Sequence, residues 1–286
     1  MLNEMNHFVN WMRRRNPTAH TWRDYSCDLR HFVTAVGDRL PNQITFHDVD
    51  QFVTAQVGAG YKASTINRRL AAIQSLYAFL ADEDQSLVCP VLPRRHYLRQ
   101  RKGLPRPVPE ADLHAFFEVI EGKRDLAMFL LMLRCGLRLA EVAGLQLRDL
   151  YLRESPPRLL VLGKNSKERT AYLSVQVAQA LRNYLAVRPT VASEFVFLSY
   201  QEDGLSTTAI HKRLLKYREA AGVYFTAHQL RHTFANDLVG HDVPVTTVQA
   251  LLGHAWMTTT QTYVAANNRQ VQKDFYGAVG ELEGWE

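Results

Sequence analysis

The chain has 286 residues, 47% of them hydrophobic, and a formal net charge of +6. This length predicts two domains or one large one, and no apolar run is long enough for a membrane-spanning helix, so we expect no membrane partner. A basic chain favours an anionic partner, of which nucleic acid is a common example. The three cysteines, Cys27, Cys89 and Cys135, show no Cys-x-x-Cys spacing. They indicate a reducing compartment, the cytoplasm, and argue against a cysteine-based zinc site.

Residues 1–93 are predicted to form an N-terminal bundle of four or five short helices, because apolar residues recur at helical intervals. The clearest stripe lies on the fourth segment and comprises Ile66, Leu70, Ile73, Tyr77 and Leu80. Basic residues stand at the start of the same segment, namely Lys62, Arg68 and Arg69. Their charges suit phosphates, although a solvated basic face has the same pattern.

Residues 94–108 break the helical pattern. Five prolines and one glycine fall within residues 89–112 and forbid a continuous helix. The basic residues of the segment are Arg94, Arg95, Arg99, Arg101, Lys102 and Arg106. We predict a basic linker between two domains, which either is a solvated connector or follows a phosphate backbone.

Residues 109–286 are predicted to form a mixed domain that is mostly helical. Two β-type runs flank a Gly-Lys-Asn-Ser turn within residues 158–174, which is a hairpin signal. Residues 194–199 are expected to form a further short strand. Residues 206–223 combine a Ser/Thr cap with a basic helix that carries Lys212 and Arg213. The predicted fold class is therefore mainly α with a small β-sheet.

Arg138 lies in an apolar segment that is predicted to be a partly buried helix. A buried arginine must be paired or must bind an anion. Glu141 follows three residues later on the same helical face and can orient the guanidinium. A structural Arg–Glu pair and an anion-binding arginine are both compatible with this segment.

His228 and Arg231 are three residues apart and share a helix face, and His232 follows His228 by four residues. Two histidines at that spacing can bind zinc, but the sequence indicates neither the glutamate of His-Glu-x-x-His nor a third ligand. A histidine beside an arginine fits a phosphate better, because the arginine holds the oxygens while the histidine handles a proton. We therefore predict no metal site.

Lys164 stands at the tip of the predicted hairpin, and Tyr263 follows His254 by nine residues. Taken singly, a turn lysine is solvated and a helical tyrosine is a packing residue. A hairpin can also bring an ammonium to a leaving oxygen, and a phenol can act as a nucleophile. Both interpretations stay open for these residues in isolation.

Taken in order, these residues resemble the signature of the tyrosine recombinases, or phage-type integrases, of the Xer-like branch. That signature runs Arg, Lys, His-x-x-Arg, His or Trp, and Tyr, and it falls here on Arg138, Lys164, His228, Arg231, His254 and Tyr263. The N-terminal helices are similar to the family's SAM-like core-binding domain, and residues 109–286 would be its catalytic domain. The turn after Lys164 lacks the second glycine usual in Xer-like members. This leaves open whether Lys164 or Lys167 is the general acid, although the family favours Lys164.

The resemblance implies a site-specific DNA recombinase that needs neither metal nor nucleotide cofactor. Arg138 and Arg231 would neutralise the non-bridging oxygens of a phosphodiester. Tyr263 would attack the phosphorus and form a 3′-phosphotyrosyl bond, which stores the energy of the broken strand.

The resemblance also implies which residues transfer protons and which support the pocket. His228 would be the general base for the phenol, and Lys164 the general acid for the 5′-oxygen. His254 would bind the phosphate or brace the pocket, and Glu141 would position the catalytic groups.

The implied partners are a specific double-stranded DNA site and three further copies of the chain. Similar proteins work as homo-tetramers on two sites, pass through a Holliday junction and exchange a C-terminal helix between protomers. An accessory protein or partner recombinase is compatible with this, in a bacterial cytoplasm or nucleoid. The residues expected to contact DNA are Lys62, Arg68, Arg69, Lys167, Lys212 and Arg213.

Two other functions use the same features. A type IB-like topoisomerase would share the chemistry without exchanging strands, and a catalytically silent regulator would keep only DNA binding. The filled set of six signature positions argues against the regulator, because a protein that only binds DNA needs no such set.

Overall fold

The computed structural model describes residues 1–17, 21–100, 106–163 and 168–253. The chain divides into two compact units, Met1–Lys102 and Gly103–Glu286. Within the described ranges, no helix is long and apolar enough to cross a membrane. The C-terminal helix predicted for protomer contacts lies outside these ranges.

The N-terminal unit is helical, as predicted. Its helices are α1 (Leu2–Arg15), α2 (Thr21–Val36), α3 (Phe46–Gly58), α4 (Ala63–Ala81) and α5 (Pro93–His96). Every residue of the predicted α4 stripe is buried, and Phe32 and Phe52 join it in one core. Full burial of one large apolar side chain contributes about 1.5–3 kcal/mol, so this face of α4 holds the bundle together.

The start of the segment predicted as a linker packs on the N-terminal unit. Arg95 on α5 forms a two-pronged ion pair with Asp50 on α3, at 2.8 Å from Nε and 2.6 Å from Nη2. His96 is buried, with its Nε2 3.2 Å from an oxygen of the same carboxylate. At this end of the predicted linker, Arg95 and His96 therefore contact α3 through an acid that lies 45 residues away from Arg95 in the chain.

The C-terminal unit is mainly helical with one small sheet, which confirms the predicted fold class. The elements are α6 (Glu110–Glu118), α7 (Lys123–Arg134), α8 (Leu139–Gly144), β1 (Leu150–Tyr151), β2 (Arg158–Leu162), β3 (Glu168–Tyr172), α9 (Val175–Leu185), α10 (Thr207–Ala221), α11 (Ala227–Gly240) and α12 (Val245–Leu252). The predicted cap of α10 is Ser206, whose side chain accepts a hydrogen bond from the Ala209 backbone N–H.

The sheet has the strand order β1-β2-β3, with antiparallel neighbours. The predicted hairpin is confirmed as β2 and β3, in a register that pairs Leu160 with Thr170. The strand expected at residues 194–199 is wrong. Only single bridges occur there, at Phe195 and Leu198, and the apolar run forms part of the core without strand pairing.

Helix α7 is the central element of this unit. Residues 127–133 on it are all buried, and it packs against α9 and α11. The chain then turns sharply at Gly136, which has a φ of +62°. A Cβ there would lie 2.5 Å from the Phe234 ring and 2.9 Å from the Leu252 side chain, so only glycine fits. This tight turn leads the chain directly into the first residue of the candidate site.

Candidate active site

Arg138 immediately follows the turn after α7 and is the N-cap residue of α8. Its ψ of 153° is extended, so the prediction that it lies within a helix is wrong. Its backbone N–H donates to Glu141 Oε2 and its Nη1 donates to Glu141 Oε1, both at 2.7 Å. The Arg138 side chain is 39% exposed. The guanidinium is therefore oriented from one side and keeps a solvent-facing side for an anion.

Glu141 is a buried carboxylate shared by three arginines. Besides Arg138, it accepts a hydrogen bond from Arg169 Nη2 at 2.7 Å, and Arg231 Nη1 lies 3.8 Å away. Burial alone would raise the pKa of Glu141, but the charge of Arg169 and the hydrogen bonds from Arg138 outweigh it and hold that pKa below its usual value. Glu141 is therefore an ionised carboxylate with three arginine neighbours, and its role in positioning the catalytic groups stays a prediction.

Arg231 on α11 is almost fully buried, with 1% of its surface exposed. Its Nη1 donates to the Gly136 carbonyl, and its Nη2 donates to the Leu252 carbonyl at 2.6 Å. These two carbonyls belong to the turn after α7 and to the end of α12. Arg231 thus joins three separate chain segments at one guanidinium, close to the Glu141 carboxylate.

His228 and His232 lie on the first turns of α11, next to Arg231. The helix begins at a capping box formed by Thr226 and Gln229. The two imidazole rings meet edge to face, with centroids 4.3 Å apart. Partial burial, followed by the charges of nearby arginines, lowers the pKa of His228.

Burial, followed by the neighbouring His228 ring, lowers the pKa of His232 to about 4. Both imidazoles are therefore neutral at pH 7 and above, which is the state a general base requires. No group of three or more metal-ligating side chains occurs in the described part of the chain. The zinc alternative for this pair thus has no third ligand among those residues.

Four predicted site residues lie outside the described residues: Lys164, Lys167, His254 and Tyr263. The structure describes the elements that flank them. Strand β2 ends at Leu162 and β3 begins at Glu168, on either side of Lys164 and Lys167. Helix α12 ends at Leu252, beside Arg231, and Gly253 follows it with a φ of +63°.

Arg169 on β3 is a site residue that the sequence analysis missed. Its side chain is 8% exposed, ion-paired with Glu141, and it also packs against Gly253. A signal was available, because strand alternation places Arg169 on the same face as the buried Ala171. A charged side chain at an inward position of a hairpin requires a buried partner.

The N-terminal residues predicted to contact DNA divide into two groups. Lys62 is exposed at the start of α4, and Arg68 is 48% exposed while pairing with Asp28 at 3.0 Å. For Arg69, the structure argues against the predicted contact with DNA. Its side chain is 5% exposed, and its guanidinium stacks on the Tyr61 ring at 4.3 Å.

The two basic residues of α10 also differ. Lys212 is exposed to solvent. Arg213 lies 3.3 Å from the buried carboxylate of Asp125 and donates to the Tyr200 hydroxyl at 3.3 Å. Much of the hydrogen-bonding capacity of Arg213 is therefore used within the protein, and Lys212 is the better placed of the two for a phosphate contact.

Comparison with protein families gives matches over both units. The model described as Phage integrase family matches residues 108–270, and the one described as Phage integrase, N-terminal SAM-like domain matches residues 6–84. The tyrosine recombinase XerC of Staphylococcus haemolyticus (strain JCSC1435) is 29% identical over 287 residues and covers 95% of both chains. The tyrosine recombinase XerD of Listeria monocytogenes serotype 4b (strain F2365) is 29% identical, covering 96% of this chain and 97% of its own.

Solved structures share the same fold. The XerH site-specific recombinase bound to its palindromic difH substrate has a TM-score of 0.75 at 20% identity, over 89% of this chain and 79% of that one. A lambda integrase tetramer bound to a Holliday junction has a TM-score of 0.73 at 15% identity, over 91% and 76%. At such identities these likenesses establish the fold.

Proposed function

The chain belongs to the phage integrase family, and from this premise we propose that it is a site-specific tyrosine recombinase that cleaves and rejoins DNA strands. One observation carries the proposal. Glu141 holds Arg138 at 2.7 Å and lies 3.8 Å from Arg231, so two cations expected at one phosphate share one buried anchor. His228, a neutral base, lies one helical turn before Arg231.

The arginines would serve the phosphate of the cleaved strand. A phosphodiester resists attack because its oxygens repel the nucleophile, and negative charge grows on them in the transition state. Arg138 presents an exposed guanidinium that Glu141 holds in place, which avoids reorganisation during the reaction. Arg231 would add a second positive charge from the buried side of the site.

Tyr263 would be the nucleophile. Its phenolic oxygen forms a bond to phosphorus while the bond from phosphorus to the 5′-oxygen breaks, giving a 3′-phosphotyrosyl bond and a free 5′-hydroxyl. His228 would accept the phenolic proton, and Lys164 would donate a proton to the leaving oxygen. His254 would hydrogen-bond the phosphate. Attack by the 5′-hydroxyl of a second duplex reverses the step and releases Tyr263, so the strands exchange without hydrolysis.

The assembly would be a tetramer on two double-stranded DNA sites, passing through a Holliday junction. The lambda integrase tetramer on such a junction, which has the same fold, supports this proposal. The C-terminal helix would connect neighbouring protomers. We place the protein in the bacterial cytoplasm or nucleoid, where its DNA is accessible and its scattered cysteines stay reduced.

The proposal is tested by trapping the covalent adduct. Duplexes with a randomised core are first selected for binding to the wild-type protein. The selected duplex is then made with a nick beside the cleavage position, so that the short 5′-hydroxyl fragment diffuses away. Wild-type protein is expected to form an adduct that resists detergent. Tyr263→Phe should bind the duplex without an adduct, whereas Tyr224→Phe, a change at a tyrosine that is 82% exposed, should form it normally.

Three results would contradict the proposal. An adduct formed by Tyr263→Phe would identify another nucleophile. Binding without any adduct from the wild-type protein would favour the silent regulator. Relaxation of supercoiled plasmid with no strand exchange between two sites would favour a topoisomerase. The same assay in excess chelator tests the expectation of a metal-free reaction, for which the adduct yield should not change.

A further inference from the structure

Arg169 reaches the site from the hairpin and contacts two of its parts. Its Nη2 donates at 2.7 Å to Glu141 Oε2, the same oxygen that accepts the Arg138 backbone N–H. The stem of its side chain lies against Gly253, where a Cβ would come within 2.6 Å of Arg169 Cδ. Arg169 therefore connects β3 with the carboxylate that holds Arg138 and with the corner at which α12 ends.

The local charges explain what this contact can do. Glu141 carries one negative charge, which Arg138 alone would largely neutralise. Because Arg169 pairs with the same carboxylate, it neutralises part of the Glu141 charge. The net positive potential that Arg138 presents to a phosphate is then higher. Arg169 also fills one acceptor position of Oε2, so the carboxylate cannot easily turn toward Arg231, which lies 3.8 Å away. The buried pair constrains Arg169, because its guanidinium cannot leave the carboxylate without losing its counter-ion.

Two further nitrogens of the Arg169 guanidinium are buried. In the part of the chain that the structure describes, its Nε and Nη1 are buried and have no hydrogen-bond partner. The Nε lies 3.0 Å from the Cβ position at Gly253. The Arg169 guanidinium is therefore enclosed on the side of the Gly253 corner as well as on the side of Glu141.

We propose that Arg169 is a positioning residue for strand cleavage, which acts through Glu141 on Arg138 and links the hairpin to the corner at Gly253. This inference rests on the proposed recombinase function. Arg169 does not touch the reacting phosphate in this assignment. It fixes the orientation and ionisation of the carboxylate that holds a phosphate-binding arginine.

The test uses the full-length protein, the duplex selected above in nicked form, and five variants, one of which is the single change Glu141→Gln. Arg169→Met removes the positive charge and the planar set of N–H donors, whereas Arg169→Lys keeps the charge on a single donor nitrogen. Glu141→Gln with Arg169→Met removes both partners of the ion pair. Arg158→Met is the matched control, because Arg158 on β2 makes an ion pair with Glu154 on the surface, away from Glu141. The first-order rate of adduct formation is measured at saturating DNA, together with the Kd for the uncleaved duplex.

The expected result separates rate from binding. Arg169→Met should lower the rate at saturation by about tenfold to about 100-fold, as displaced catalytic groups do, while the Kd changes by less than about threefold. Arg169→Lys should recover part of the rate, and Arg158→Met should behave as wild type. In the Glu141→Gln background, Arg169→Met should have almost no additional effect, because its action passes through Glu141.

A pH profile gives a second readout that packing alone would not change. The charge of Arg169 lowers the pKa of Glu141 against the opposing effect of burial. Without that charge the carboxylate takes up a proton at higher pH, so the acidic limb of the cleavage rate should move to higher pH in Arg169→Met. Arg169→Lys should largely restore the wild-type limb, and the double variant should show no such shift.

The outcomes that overturn the inference are distinct from failure of the function itself. A wild-type rate in Arg169→Met overturns it, as does an equal further loss in the Glu141→Gln background. A change confined to Kd or to the thermal midpoint also overturns it. If Arg169→Met does not fold, Arg169→Lys and the double variant supply the comparison. If the wild-type protein forms no adduct, the recombinase proposal fails first.

Discussion

Arg231 on α11 donates a hydrogen bond of 2.6 Å to the carbonyl of Leu252, the last residue of α12. A second bond from the same guanidinium ends on the Gly136 carbonyl, in the turn that precedes Arg138. One buried side chain therefore fixes the relative position of the segment that leads to Arg138 and the corner from which the chain continues to His254. Arg231 has a structural task beside its predicted task at the phosphate.

Alanine variants of Arg138 and Arg231 should consequently lose similar amounts of cleavage activity but different amounts of folding stability. Arg138→Ala and Arg231→Ala are each expected to raise the cleavage barrier by roughly 2.7–4 kcal/mol, the cost of losing one preorganised donor at a developing oxyanion. Only Arg231→Ala should also lower the free energy of unfolding, by about 2–5 kcal/mol, because two buried carbonyls lose their donor. Denaturant unfolding and single-turnover cleavage measure the two quantities. Equal stability of the two variants would contradict the structural task of Arg231.

Gly253 is required for space as well as for backbone conformation. Gly253→Ala places a methyl 2.6 Å from Arg169 Cδ, in a residue with a φ of +63°. Gly222→Ala is a matched control, since Gly222 has a φ of +67° with nothing within 4 Å of its Cβ position. The free energy of unfolding should fall by only about 1 kcal/mol in the control, which is the conformational cost. Gly253→Ala should lower it further and should also slow cleavage. Similar losses in thermal unfolding and similar cleavage rates for both variants would argue against the Arg169 contact.

The two histidines of α11 should titrate below the ordinary range, and they should respond differently to Arg138. Arg138 contributes to the lowered pKa of His228, whereas the causes for His232 are burial, His228 and Arg231. Removing the positive charge in Arg138→Met makes protonation of His228 easier. Its pKa should rise, while that of His232 should stay near 4. Titration of the ring resonances by NMR separates the two, and equal shifts would mean that Arg138 does not face His228 selectively.

The same pKa values predict how stability depends on pH. The pKa of His232 in the folded protein, about 4, lies below its value of 6.5 in an unfolded chain. The unfolded chain therefore takes up the proton first as the pH falls, and the thermal midpoint should drop between pH 6.5 and about 4. His232→Gln should flatten this dependence. An unchanged slope in that variant would show that other groups cause it.

The salt dependence of DNA binding should identify the basic residues that contact phosphates. Each phosphate contact adds about 0.9 to the slope of log K against log salt concentration. Lys62→Met and Lys212→Met are each expected to reduce the magnitude of that slope by about 0.9, the amount for one phosphate contact. Arg69→Met should leave the slope unchanged and should lower stability instead, because Arg69 is buried against Tyr61. A reduced slope in Arg69→Met would restore it as a DNA contact.

Local pattern was enough for much of the fold. The α4 stripe, the hairpin of β2 and β3, and the Ser206 cap all depend on neighbours within a few residues or on one turn. The order of the signature residues likewise lies in the chain itself, and it identified Arg138, His228 and Arg231 before their geometry was known. These features could be predicted because helix and strand periodicity, capping and order along the chain are local properties.

The errors and the omission share one physical cause. Residues 194–199 carry a strand-like apolar run, but within the described residues it forms only isolated bridges, at Phe195 and Leu198. Arg69 was expected to contact DNA and Arg95 to lie in a linker, yet Arg69 is buried against Tyr61 and Arg95 forms an ion pair with Asp50. Burial and the partner of a charge depend on segments that are distant in sequence, so composition cannot reveal them.

The sequence by itself determined most of the helices, the hairpin, the family signature and the chemistry that this signature implies. The tertiary structure alone decided that Arg138 begins α8 rather than lying within a helix, and that Glu141 is buried among three arginines. It also brought Arg169, 28 residues further along the chain, to the same carboxylate. The reason is that an ion pair in the protein interior requires both charges to leave water together, and only the packing of the hairpin on α8 and α12 brings them together.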